Sequence, residues 1–277
     1  IVMESYPQEM IFRPIQDQTA AVAALKDGQL DVLANTAPEQ FNELKETAFV
    51  AEKFDFYTPP SLVHAFVYLN TRIPKLEDPR VRRALAYATD VESIINTAFS
   101  GLAEPSTGSV LASSSYHNPD IKPIPYEVEK AQVSQNVALL LQESAKKAGI
   151  EITLTPQEHN VNMEDVSRRD FELLAGAKGI QPITWEPKQE YHSEGDDRSG
   201  FATPETDALI DRIQVTLDPK ERKKLYMDLQ AKIQESMPII PILVPTGRLI
   251  INKELEAPIT PVFPGYVPAL LKFKTEG

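Results

Sequence analysis

Apolar positions along this chain switch repeatedly between a helical spacing of three to four and a strand spacing of two, so helices and strands are predicted to alternate. Met10, Ile11 and Phe12 read as a strand ending at Arg13-Pro14. Asp17 is placed to cap a helix through Ala20, Ala21, Ala24 and Leu25, closed by Gly28. Residues 31–34 read as a short buried strand. Thr36 and Glu39, with Pro38 in the first turn, read as a capping box opening a helix to about Glu46. Residues 48–53 and 63–69 carry the β-branched and aromatic content of strands.

Residues 70–78 suit a connector. Asp78-Pro79 then starts a helix with Val81, Ala84, Leu85 and Ala88 inward and Arg80, Arg82 and Arg83 outward, and Asp90 caps a second helix carrying Ile94, Ile95, Ala98 and Phe99. The Ser- and Pro-rich stretch 104–126 reads as a long surface loop. Val133, Val137, Leu140 and Leu141 mark an amphipathic helix; residues 150–155 and 171–175 read as strands; residues 179–200 read as a loop carrying the single tryptophan, Trp185. Thr203-Pro204 opens a helix through Leu209, Ile210 and Ile213, and Asp218-Pro219 opens another through Leu225, Leu229 and Ile233. Residues 237–242, 248–252 and 269–273 are strand candidates. The class is α/β with mixed sheets.

Composition narrows the possible functions. The 277 residues carry 28 Lys+Arg against 40 Asp+Glu, a net charge of -12, which is the wrong sign for neutralising nucleic-acid phosphates. A hydrophobic share of 42% supplies a core, and no run approaches the roughly 18 apolar residues of a membrane span. There is no cysteine, so thiol catalysis, disulfides and thiolate metal sites are excluded. Residue 1 is Ile and no basic segment leads into an apolar one, so no signal peptide is expected here and the chain reads as a processed product or a piece of something longer.

Catalytic signals are weak. His64, His117, His159 and His192 are scattered without metal-ligand spacing and read as lone surface or cleft histidines; no metal and no cofactor is expected. There is no G-x-S-x-G and no phosphate loop. The acidic pairs Asp196-Asp197 and Glu164-Asp165 read as solvated faces, as does the basic run 220–224.

Six collinear segments carry a family resemblance. They are "AVAALKDGQLDV" from Ala21, "VYLNTRIPKLEDPRVRRALAYATDVESIINTAFS" from Val67, "YEVEKA" from Tyr126, the stretch 140–154 containing "KKAGIEITL", "RDFEL" from Arg169 with "YHSEGDDRSGFATPETDALID" from Tyr191, and the stretch 225–241 ending "ESMPIIP". The second is similar to a strand ending in Asn-Thr followed by D-x-R-V-R-x-A-[LI]-x-[YH]-A-x-D-[RK], with Val91 where Arg or Lys is usual. Together these segments resemble the extracytoplasmic solute-binding proteins of ABC importers, in the oligopeptide, dipeptide and nickel-binding family, family 5.

The resemblance implies a periplasmic-binding-protein-like fold of type II (cluster C), with one complete lobe and part of the other: residues 1–69 in lobe I, 70–243 as the C-terminal lobe, and 244–277 returning to lobe I. It implies a non-enzymatic monomer outside the cytoplasm, compatible with a lipid anchor ahead of residue 1, that takes a peptide or other small solute between the lobes and passes it to a membrane permease. The family's N-terminal half is not in this chain, so tight binding by this chain alone is not expected, and a segment implied after Ala131 is missing.

By the same resemblance the solute contacts are Lys178, Gln181, Trp185, His159, Asn160, Ser61 and His64. Peptide-binding relatives hold the peptide amine with an Asp in a G-W-x-x-D-Y loop; here that stretch reads "GAKGIQP", with Ala177 and Ile180 in place of Trp and Asp. A non-peptide cargo (a glycan, an opine or a metal chelate) is therefore a live alternative. From another class, a hydrolase would need two carboxylates roughly 5–9.5 Å apart in a cleft.

Overall fold

The computed structural model describes residues 11–59, 61–126, 146, 151, 153, 168–179, 186–256 and 274–275. In chain order the elements are α1 (Gln18–Lys26), β1 (Val32–Ala34), α2 (Pro38–Glu46), α3 (Ala48–Lys53), β2 (Phe54–Tyr57), β3 (Val63–Leu69), α4 (Pro74–Glu77), α5 (Pro79–Tyr87), α6 (Val91–Ala98), β4 (Ala103–Pro105), β5 (Leu173–Gly179), α7 (Pro187–Tyr191), α8 (Pro204–Val215), α9 (Pro219–Ser236), β6 (Ile239–Pro245), β7 (Leu249–Asn252), β8 (Leu255–Glu256) and β9 (Lys274–Thr275). The predictions at residues 133–141 and 269–273 lie outside the described residues, as does Glu164-Asp165; of residues 150–155 only Glu151 and Thr153 are described, both exposed and outside any strand.

The chain divides into two compact units. The first comprises residues 1–62, 99–103 and 245–277. Its sheet has the order β1-β7-β2, antiparallel throughout, with Val32 opposite Ile251 and Phe56 opposite Ile250. Leu25, Phe41, Leu44, Val50, Phe54 and Ile250 are buried together beneath it, with the Phe41 and Phe56 rings edge to face at 5.3 Å. Leu102 joins this core from the short 99–103 segment, where Ser100 accepts a hydrogen bond from Asn42 at 3.1 Å and Leu102 accepts one from Thr246.

The second unit comprises residues 63–98 and 104–244 and is built on the sheet β4-β6-β3-β5. β3 pairs antiparallel with both β6 and β5. Its hydrophobic run is buried because a strand with neighbours on both sides and packing on its faces has no solvated face to fill. Phe66, Tyr68, Val110, Tyr191, Phe201, Ile210, Ile213, Leu225, Tyr226, Leu229, Ile233 and Ile239 form one core. The helix starts behave as read. Asp17, Asp78, Asp90 and Asp218 each accept backbone N–H bonds, and Thr203 with Thr206 closes a capping box on α8.

Several expectations are corrected. Ile11 and Phe12 are exposed and form no strand. Residues 48–53 are helix α3 rather than a strand: Ala48, Ala51, Glu52 and Lys53 are good helix formers and outweigh Phe49 and Val50, while the strand follows at β2. Thr36 is buried and caps nothing; α2 starts at Ala37 without a side-chain cap. β1 is half-buried rather than buried. Short helices α4 and α7 occupy stretches read as connector and loop, and β5 starts at Leu173 and runs on to Gly179.

Stretch 104–126 is not a surface loop. Val110 and Leu111 are buried, and Gln230 on α9 binds Asn118 N–H through its oxygen and donates to the Tyr116 carbonyl. The largest correction concerns α5, whose buried face is Arg82, Leu85 and Ala86, while Val81 and Ala84 are exposed. Arg82 is 3% exposed and donates to the carbonyls of Leu76, Glu77, Ser236 and Met237, so one guanidinium satisfies the C-terminal ends of α4 and α9.

Candidate functional site

Of the seven predicted solute contacts, three fall on described residues. Gln181, Trp185, His159 and Asn160 lie outside them. Ser61 is buried just ahead of β3. Lys178 sits on β5 with its Cα opposite that of His64 on β3. His64 is 0% exposed, and its Nε2 lies 2.5 Å from Ser106 Oγ. Alternation along β3 puts His64, Phe66 and Tyr68 on one face, where their rings stack edge to face at 5.2 and 4.9 Å. His64 thus packs in the interior and orders Ser106, a role the spacing of histidines gave no sign of.

Of the other described histidines, read as surface or cleft residues, one is buried and one is half-buried. His192 is buried; its Nδ1 accepts the Glu194 N–H at 3.0 Å and its Nε2 faces Asp211 at 3.5 Å. His117 is half-buried, and burial with Lys122 nearby pulls its pKa down. Among the described residues, no group of three His, Asp or Glu side chains is arranged to hold a metal ion.

The Asp196-Asp197 pair is also not a solvated face. Asp197 is 6% exposed, accepts the N–H groups of Phe201 and Ala202 at 2.8 and 3.1 Å, and pairs with Arg72 at 2.6 Å. Burial pushes its carboxyl up, opposed by those N–H groups and by Arg72. Asp196 is held by Arg198 at 3.1 Å and Gln189 at 2.7 Å. Both carboxylates are committed to fixing the loop that enters α8, an arrangement unlike a pair of carboxylates facing a shared substrate.

The feature that offers a binding surface is β5. It ends the sheet order among the described residues, so one row of its backbone N–H and C=O groups has no strand beside it there. Ala175, Gly176, Ala177 and Gly179 are exposed, and a Cβ built on Gly176 or Gly179 would meet nothing within 4 Å. Small side chains leave the faces of this stretch uncrowded, and among the described residues no strand lies along its outer edge, where another extended backbone could pair.

Comparison with known proteins agrees with this architecture. Residues 4–133 match the family described as bacterial extracellular solute-binding proteins, family 5 Middle. The glutathione-binding protein GsiB of Pectobacterium atrosepticum is 23% identical over 284 residues, covering 86% of this chain and 52% of its own length. The chain spans about half the length of the curated relatives it matches. Two solved structures share the fold. One is the ABC transporter substrate binding protein CtaP from Listeria monocytogenes, with a TM-score of 0.82 at 22% identity over 96% of this chain and 60% of that one. The other is the periplasmic binding protein DppA from Helicobacter pylori in complex with the peptide STSA, with a TM-score of 0.73 at 17% identity over 96% and 56%. The six collinear motifs, the match over residues 4–133 and the shared fold agree in making the chain similar to the bacterial extracellular solute-binding proteins of family 5.

Proposed function

We propose that this chain serves the solute-binding component of an ABC importer, which captures a peptide-like solute without covalent chemistry outside the cytoplasm and hands it to a membrane permease. In this reading the two compact units belong to the two lobes of the family fold, and Lys178, Gln181, Trp185, His159, Asn160 and Ser61 contribute to solute contact while His64 holds Ser106. The single observation that carries the reading is the small-residue edge of β5, which has no neighbouring strand among the described residues and suits an extended solute that pairs with it as an added strand. The names of the relatives, one glutathione-binding and one crystallised with a peptide, support the solute class. Solute biases such a protein only through contacts that are better in one conformation than in another.

The experiment is calorimetric titration of the full-length protein with reduced glutathione and with short peptides, each beside a backbone N-methylated analogue. Strand addition predicts micromolar or tighter binding of one of them and at least a tenfold loss on N-methylation. Equal affinity for the methylated analogue overturns the proposed mode.

A second reading rests on Ala177 and Ile180, which remove the ring and the carboxylate that anchor a peptide amine in relatives. It assigns a non-peptide cargo such as an opine, a glycan or a metal chelate. Native mass spectrometry of the full-length protein purified from its host separates the two by the mass of what it carries.

A further inference from the structure

The exposed half of β5 raises the question of how its register is held. Strand register is normally specified by an alternation of large apolar and polar side chains, and Gly-rich strands without it slip readily. From Ala175 to Gly179 the strand reads Ala-Gly-Ala-Lys-Gly. Apart from Lys178, opposite His64, its large residues are Leu173 and Leu174, opposite Leu69 and Tyr68, and both leucines are merely half-buried. A slip of two residues keeps every side chain on its face, so alternation alone does not oppose it.

The chain supplies a lock at the end of the ladder. Asn70, the residue after β3, is 4% exposed and uses all of its polar groups. Its backbone N–H continues the ladder to the Glu172 carbonyl at 3.0 Å, and its carbonyl accepts the Ile73 N–H. Its side-chain amide donates to the carbonyls of Arg169 at 3.1 Å and Phe171 at 2.9 Å, and its Oδ1 accepts the Arg72 N–H at 3.3 Å. Arg169 stands at φ 60°, a left-handed conformation that a non-glycine residue keeps only when its surroundings hold it. Two carbonyls spaced by two residues cannot both meet one amide after a slip.

We propose that Asn70 is a positioning residue: its side-chain amide fixes the register of β5 against β3, and with it the row of backbone groups that the outer edge of β5 presents to solute. The functional half of this statement rests on the solute-binding reading above.

These 277 residues contain no cysteine, so an introduced pair gives a direct test in the full-length protein once any cysteine outside them is replaced by serine. Directly opposite antiparallel residues have Cα atoms about 4.5–5.5 Å apart, within disulfide reach, while the next position along is about 7–8 Å away and beyond it. The pair A65C/A177C reports the native register and A65C/A175C a two-residue slip. With Asn70 present, A65C/A177C oxidises and A65C/A175C does not. Asn70→Ala raises the slipped-to-native oxidation ratio at least tenfold, and adding Arg169→Gly, which relieves the left-handed residue, lowers it again.

Asn70→Asp is the companion variant, because it keeps the acceptor for Arg72 and the shape while giving up both donors. If A65C/A175C stays reduced in the folded Asn70→Ala and Asn70→Asp proteins, the proposal is wrong. Reduced glutathione and the peptides named above are then titrated into the same variants. A slipped register with unchanged affinity overturns the assignment of solute to this edge and leaves the lock standing. Weakened affinity at an unchanged register overturns the lock.

Discussion

Replacing Arg82 with Met removes the guanidinium while keeping most of the aliphatic stem, so the loss is confined to hydrogen bonds. Arg82 reaches the carbonyl of Leu76 at 2.6 Å and that of Met237 at 3.1 Å in fully buried settings, and those of Glu77 and Ser236 in half-buried ones. A buried acceptor left without a partner costs about 1–3 kcal/mol, whereas the half-buried carbonyls can turn to water. Two buried carbonyls therefore give about 2–6 kcal/mol. Met237 adds to the demand, since it closes α9 at φ 49° in the left-handed position usual for glycine. We expect a loss of about 3–5 kcal/mol for Arg82→Met and about half of that for Arg82→Lys, whose three donors lack the planar fork that spans two helix ends. Urea unfolding of the full-length protein followed by circular dichroism measures it. A loss below about 0.5 kcal/mol for Arg82→Met, the level of an ordinary surface change, would refute the argument by showing that the carbonyls need no protein donor.

Asp78 is held down to about 2 from 3.8 by its hydrogen bonds with Arg80, so it should titrate near pH 2 by carboxyl NMR and move back toward 3.8 in Arg80→Ala. Because the folded value is the lower one, the associated stabilisation is complete above about pH 4 and is lost as pH falls through about 2. Gly200→Ala should cost about 2–3 kcal/mol in thermal or urea unfolding, since Gly200 has φ 76° and the new Cβ would lie 2.8 Å from Thr71 Oγ1. Thr203→Ala should cost about 1 kcal/mol by removing one half of the capping box on α8, with hydrogen exchange rising at the Thr206 amide.

Elements with strong local chemistry were legible. Thr203-Pro204 and Asp218-Pro219 announced α8 and α9 through capping, and the apolar run of residues 63–69 announced β3. Arg82 was misread because a helix face was chosen by hydrophobicity; the true face, 82, 85 and 86, has the same helical spacing but is rotated by one position to bring a donor onto two helix ends. Stretch 104–126 was misread because its burial depends on polar partners such as Gln230, more than a hundred residues away. The candidate edge was hidden because Ala-Gly-Ala carries no alternation. Asp197 looked solvated because nothing local reveals that Arg72 and two backbone N–H groups converge on it.

The place of β7 in the first sheet sets the order in which this unit can be completed during synthesis. β1 and β2 are made before β7, yet among the described residues neither pairs with the other and both pair with residues 249–252. Until β7 arrives, β1 and β2 lack the strand that joins them among the described residues, the situation in which nascent chains join wrong partners or enlist chaperones. The sheet of this unit is thus complete only once residues 249–252 arrive, and its folding rate should follow the long loop closure to β7 more than the speed at which α1 or α2 forms.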